Sequence, residues 1–190
     1  PAANIKELIA YARANPGKLN YGHTGIGVAP HLAAEMFRIA AGIDVVPVPY
    51  KGDAPLVPAL VANEVQYTVL PPTNVMEPAR SGRARMLAMT GTARSSALPD
   101  VPTMAEVGLP DVEQAGWVGL FAPAATPGAV VTRIAADVAR ALKAPHVAAR
   151  IRVTGYEAGG KTPEQFSALF RADVARYTRI VRELKIPPAD

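Results

Sequence analysis

The strongest constraint on the fold is an alternation of short β-like runs with amphipathic helical segments over the first two thirds of the chain. The helical segments repeat apolar residues at every third or fourth position, whereas the β-like runs stop at glycine, proline or polar residues. Predicted strands lie at residues 19–21, 45–50, 65–70, 85–90 and 117–123. This alternation predicts an α/β fold with a mostly parallel sheet flanked by helices.

Helix boundaries in the first part of the chain carry local signals. A first helix is predicted at residues 4–14, a second ends at Gly42, and Asp53 is expected to be the N-cap of a third. Thr103 and Glu106 have the spacing of a capping box, which predicts a short helix.

After about Pro123 the pattern is purely helical, with predicted helix starts at residues 126–127 and 162–165. This change predicts a domain boundary near Pro123. The second part presents a long apolar helix face, formed by Phe166, Leu169, Phe170, Val174, Tyr177, Ile180 and Leu184.

Composition excludes several classes of function. The 49% apolar content predicts a packed core, and the lack of cysteine removes disulfides, thiolate nucleophiles and cysteine-type zinc sites. The net charge is +4, but the basic residues are scattered, so no nucleic-acid partner is predicted. No apolar run is long enough for a membrane span. Neither a metal nor a cofactor is predicted.

A glycine-rich loop at residues 24–28 follows the first predicted strand and precedes a helix. At the carboxyl end of a parallel strand, such a loop and the helix N-terminus behind it favour a carboxylate or phosphate. A dinucleotide fingerprint would need a third glycine where Pro30 stands, and no P-loop sequence is present. The other interpretation is that Gly25 and Gly27 only shape a turn.

Two histidines, His23 and His31, flank this loop. No carboxylate or nucleophile accompanies them in sequence, so neither catalysis nor metal binding is predicted. Tyr50 ends the second predicted strand and Lys51 follows it, so both should lie near the same sheet edge. Lys51 is either a charge partner for an anion or a solvated loop lysine.

Four segments, in this order, resemble one family: NPGKLNYGHTGIGVAPHLAAEMF, VPVPYKGDAPLVPALVANEVQ, LPDVPTMAEVGLP and WVGLFAPAATP. They resemble the extracytoplasmic solute receptors of tripartite tricarboxylate transporters, the TctC or Bug-type proteins. The resemblance implies a type II periplasmic-binding fold, in which two α/β lobes close on a small organic acid. It also implies membrane permease subunits as partners, a periplasmic location after removal of a signal peptide, and no enzymatic activity.

The resemblance implies a ligand-binding set formed by His23, Thr24, Gly25, Ile26, Gly27, Val28, His31, Tyr50, Lys51 and Gly52. Family members usually have small hydroxyl residues at the positions of His23 and Val28. They often carry histidine where Pro47 stands and an acidic residue where Gln66 stands. These departures predict an unusual ligand or weakened binding.

The resemblance begins just before the second lobe of the family. Residues 1–116 are therefore expected to form that lobe, and 117–190 the C-terminal strand and helices of an incomplete first lobe. An apolar face without its usual partner predicts homodimerisation. Two other functions remain open: a single-lobe sensory or interaction module that dimerises, and an enzyme that uses His23 and His31.

Overall fold

The computed structural model describes residues 2–184 and 186, and the described chain forms two compact units. The first unit comprises residues 2–94, Leu98–Gly116 and the C-terminal residues 184 and 186. The second unit comprises Ser95–Ala97 and Trp117–Glu183. Their interpretation as one lobe and part of another stays a prediction.

The first unit is built on a parallel sheet, as the alternation of strands and helices predicts. Its three strands are β1 (Asn20–His23), β2 (Val46–Pro49) and β3 (Tyr67–Thr68), in the order β2-β1-β3. Its helices are α1 (Ile5–Ala14), α2 (Ala29–Ala40), α3 (Asp53–Val61) and α4 (Pro72–Arg80). Because a helix connects each strand to the next parallel strand, the carboxyl ends of all three strands meet at one edge of the sheet.

The core of the first unit lies around the central strand. Tyr21 of β1 stacks on Tyr67 of β3, with ring centroids 5.6 Å apart, and Phe37 of α2 meets Tyr67 edge-on at the same distance. Gly22 is buried where α3 crosses β1, and a Cβ there would stand 2.2 Å from Leu56 Cδ1. A glycine at this position therefore allows α3 to pack closely on the sheet.

The second unit contains α5 (Gly128–Leu142), α6 (Pro145–Arg152) and α7 (Pro163–Glu183). Trp117 packs edge-on against Phe166 and Phe170 of α7, with centroid distances of 5.0 and 6.1 Å. The indole Nε1–H donates to the Asp173 carboxylate at 2.6 Å. These contacts fix the start of the unit to its longest helix.

Two of the predicted strands are wrong. Residues 85–90 form only an isolated bridge, between Met89 and Thr103. Residues 117–123 have no strand assignment, and Val118 is 85% exposed and Leu120 70% exposed. Extended segments become strands only where a neighbouring strand completes their hydrogen bonds, and the described residues supply none here.

Two capping predictions also differ from the structure. Asp53 is the first residue of α3 and not its N-cap, which is Gly52. Thr103 and Glu106 form both reciprocal bonds of a capping box, at 2.7 and 3.2 Å, but a turn and not a helix follows. The box at Thr162 and Gln165 does precede a helix, α7.

Candidate functional site

Three helices begin at the edge where the carboxyl ends of the strands meet. Residues 24–28 join β1 to α2, residues 50–52 join β2 to α3, and residues 69–71 join β3 to α4. Among the described residues, no side chain caps the first turn of any of these three helices. Uncapped first turns leave backbone N–H groups without intrahelical partners and carry partial positive charge, so this edge is suited to an anion.

Two glycines give the connecting segments their conformation. Gly27 has a φ of 77° and Gly52 a φ of 92°, which are values that other residues rarely adopt. A Cβ at either position would meet no atom within 4 Å. The requirement at both glycines is therefore torsional, and the space beside them is open.

His23 and His31 both contact the backbone of the loop between β1 and α2. His23 Nδ1 lies 3.2 Å from the Gly25 carbonyl oxygen, and His31 Nδ1 accepts the Gly27 N–H at 3.2 Å. A carbonyl oxygen only accepts hydrogen bonds, so Nδ1 of His23 carries a proton, whereas Nδ1 of His31 does not. Both side chains are buried, at 4% and 7% exposure.

The surroundings of His31 favour its neutral form. Burial lowers the pKa of the His31 imidazole, and the nearby His23 lowers it further, while Glu35 acts in the opposite direction. A neutral imidazole is the state that the hydrogen bond from Gly27 requires. The arrangement therefore positions the loop.

A half-buried carboxylate lies one helical turn further along α2. Glu35 accepts a short hydrogen bond from the Tyr21 hydroxyl and is paired with Arg38 at 2.8 Å. Burial alone would raise the pKa of Glu35, but the hydrogen bonds from Arg38 and Tyr21 outweigh it and lower this pKa. Burial and the Glu35 carboxylate raise the pKa of Tyr21. This network ties α2 to the central strand and keeps Glu35 ionised.

The first turns of α3 and α4 are linked by a pair that the sequence does not reveal. The side-chain amide of Asn74 donates a short hydrogen bond to the Asp53 carboxylate. The pattern also does not predict α4, although the run Pro71-Pro72 after a strand is a helix-start signal. The sequence also does not reveal the role of Thr68. Its hydroxyl donates to the Gly22 carbonyl at 2.9 Å and links β3 to β1.

The remaining predicted site residues lie at the same edge, with different exposures. Ile26 is 45% exposed and Val28 40% exposed, while Thr24 is only partly exposed. The Tyr50 N–H donates to the His23 carbonyl at 2.8 Å, and Lys51 beside it is exposed. The structure thus brings the three connecting segments to one edge, and a binding role for these residues stays a prediction.

Neither a metal site nor a membrane span is found in the part of the chain that the structure describes. Within residues 2–184 and 186, no group of three histidine, aspartate or glutamate side chains is placed to hold a metal ion. Over the same residues, no helix combines the length and apolar character of a membrane span.

The overall fold is closely similar to that of several solved structures. Rpa4515 of R. palustris with adipate is 33% identical, with a TM-score of 0.91 over 99% of this chain and 63% of that one. The periplasmic binding protein BugD is 31% identical, with a TM-score of 0.84 over 98% and 63% of the two chains. MatC from Rhodopseudomonas palustris with bound malate is 29% identical, with a TM-score of 0.81 over 95% and 63%. By fold, the chain is a protein of the periplasmic solute-binding class.

The family is defined by sequence as well. Residues 1–186 match the model of the tripartite tricarboxylate transporter family receptor, TctC. The UPF0065 protein in the tcbD-tcbE intergenic region of Pseudomonas sp. strain P51 is 35% identical over 184 residues, which is 96% of this chain. The chain belongs to the TctC family, which confirms the resemblance inferred from its sequence.

The chain spans about half the length of most of the curated relatives that it matches, for example 55% of the Pseudomonas protein from strain P51. Members of this family are solute-binding receptors, and BugD is a periplasmic one. The homodimer expected from the apolar second part has no support from these comparisons.

Proposed function

We propose that this chain captures a small organic acid at the edge where β1, β2 and β3 end. The main support is the convergence of three uncapped helix N-termini at that edge. Their first turns include Pro30, Pro55 and Pro72, which have no N–H. The N–H groups that remain unpaired there donate hydrogen bonds to a carboxylate without introducing a charged side chain that would need its own partner.

The shape of the connecting segments supports the same ligand class. At Gly27 and Gly52, no atom lies within 4 Å of the point that a Cβ would occupy, so a ligand group has room beside the backbone there, while the two N–H groups themselves donate to His31 Nδ1 and to the Tyr50 carbonyl. Lys51 is exposed beside Gly52 and supplies a mobile positive charge near the edge. We assign it a steering role, since an exposed lysine pair contributes little binding free energy.

The ligand class follows from the solved relatives. Rpa4515 has been solved with adipate and MatC with malate, both of which are dicarboxylates. We therefore take linear dicarboxylates as the first candidates. By analogy with the family, the chain binds the acid in the periplasm and delivers it to a membrane permease. No covalent step takes place at the site.

Isothermal titration calorimetry of the full chain tests this proposal. Mono-, di- and tricarboxylates are compared with the corresponding neutral amides. Saturable binding of at least one acid, with none for its amide, is the expected result. If no carboxylate binds, or if the amides bind equally well, the proposal is wrong for this chain.

A pair of glycine variants locates the binding site. Gly27→Ala places a side chain at a φ of 77° in the candidate loop, and Gly160→Ala does so at a φ of 102° in the second unit, with open space in both cases. The strain of about 1 kcal/mol should weaken acid binding roughly fivefold for Gly27→Ala only. Equal effects of the two substitutions would place the acid elsewhere.

A further inference from the structure

The two histidines that contact the 24–28 loop use Nδ1 in opposite roles, one as a donor and the other as an acceptor. Nδ1 of His23 donates to the Gly25 carbonyl, whereas Nδ1 of His31 accepts from the Gly27 amide. Protonation of an imidazole turns both ring nitrogens into donors. The bond of His23 survives that change, because its Nδ1 is already a donor. The bond of His31 does not survive, because two N–H groups would then face each other.

Burial makes the loss of this bond consequential. His31 is 7% exposed, so its protonated Nδ1 has little access to a water acceptor, whereas Gly27 is exposed and its amide can turn to solvent. The space beside Gly27 is open, because no atom lies within 4 Å of the position that a Cβ would occupy. The ionisable groups that act on His31 are His23 of β1 and Glu35 of its own helix.

We propose that His31 is a positioning residue that holds the 24–28 loop only while its imidazole is neutral, so that acidification releases the Gly27 amide and weakens carboxylate binding. The effect on binding rests on the proposed function, whereas the release of the loop concerns the unliganded chain. A simple charge argument gives the opposite direction, because an added positive charge would strengthen anion binding. The pH dependence therefore separates the two mechanisms.

Nuclear magnetic resonance of the unliganded full chain tests the release of the loop. In the wild type, the Gly27 amide signal should shift, and its protection from solvent exchange, measured against the intrinsic exchange rate at each pH, should fall about tenfold as His31 is protonated. In His31→Asn, which keeps an acceptor oxygen near Nδ1 but does not titrate, the signal should stay constant. His146→Asn on exposed helix α6 is the matched control and should behave as the wild type. A Gly27 signal that ignores pH in the wild type, or that changes equally in His31→Asn, overturns the proposal.

The wild-type imidazole spectrum provides a test that needs no variant. At neutral pH, the ¹⁵N signals should show that Nδ1 of His31 is unprotonated and that Nδ1 of His23 is protonated. A protonated Nδ1 on His31 at neutral pH would overturn the proposal even if His31→Asn did not fold.

Calorimetry with adipate completes the test. Its dissociation constant should rise about fivefold between about pH 8 and about pH 5.5 in the wild type and clearly less in His31→Asn, which experiences the same titration of adipate. Equal profiles for both proteins would contradict the link to binding. A pH-dependent Gly27 signal without adipate binding at any pH would refute adipate as the ligand and leave the release of the loop established.

Discussion

The imidazole rings of His23 and His31 lie 4.5 Å apart, centroid to centroid, and are inclined at 49° to each other. One belongs to the last residue of β1 and the other to the first turn of α2, so the pair spans the loop that joins them. Both rings are buried, and two positive charges at this separation would repel each other. The pair therefore favours a state in which at least one ring is neutral.

The first prediction concerns stability against pH. Burial lowers the pKa of His31 below its ordinary value of 6.5, so the unfolded chain binds a proton that the folded chain does not. This contribution to stability is complete above about pH 6.5, and it declines as the pH falls from there through the lowered pKa. Thermal unfolding should show this decline, and His31→Asn should flatten it. An unchanged slope in His31→Asn would contradict the assignment.

The second prediction concerns the stability of the fold at still lower pH. The pKa of Glu35 is lowered in the folded chain, because the hydrogen bonds from Arg38 and Tyr21 outweigh the effect of burial. Its contribution is present above the unfolded value of about 4.5 and is lost as the pH falls through the lowered pKa. Glu35→Gln should lower the free energy of unfolding by about 1–3 kcal/mol near neutral pH and make it depend less on pH in the acid range. Denaturant unfolding at several pH values measures both effects, and a uniform loss at every pH would contradict the ionic role.

The third prediction concerns the contact between β1 and α3. A Cβ at Gly22 would stand 2.2 Å from Leu56 Cδ1 and 3.2 Å from Val65 Cγ2, and both of these side chains are fully buried. Gly22→Ala should therefore destabilise the chain by about 1–3 kcal/mol. Gly116→Ala is the control, because a Cβ there meets no atom within 4 Å. Equal unfolding midpoints for the two variants would show that α3 is free to move away.

The fourth prediction uses the single tryptophan. Trp117 lies in the second unit, and its indole donates to Asp173. Asp173→Ala should shift the tryptophan emission to longer wavelength and cost the fold about 1 kcal/mol, because the indole N–H loses its partner. Asp137→Ala on α5 removes two exposed ion pairs and no contact of the indole, so its emission should stay as in the wild type. Matching spectra for the two variants would refute the Trp117–Asp173 bond.

Local signals allowed most of the elements to be predicted. The helix at residues 4–14 and the helix start at 162–165 were predicted, and both starts rest on contacts that span only a few residues: Asn4 accepts the Glu7 N–H, and Thr162 accepts the Gln165 N–H. The strand predicted at residues 117–123 fails, since strand formation depends on partners distant in sequence. The parallel sheet and the family follow from the sequence, whereas the site pairs do not. Asp53 and Asn74 lie 21 residues apart, and only the fold brings them together.

The proposed function depends above all on the binding of a carboxylate to backbone amides at the edge of the sheet. A titration of the ¹⁵N-labelled full chain with adipate, followed by amide chemical shifts, measures this binding residue by residue. We expect saturable shifts at Gly25, Gly27 and Gly52, with little change at Gly159 and Gly160 in the second unit. Saturable shifts confined to other residues, or no saturable shift with adipate, malate or any other small acid, would contradict the proposed binding of a carboxylate at this edge.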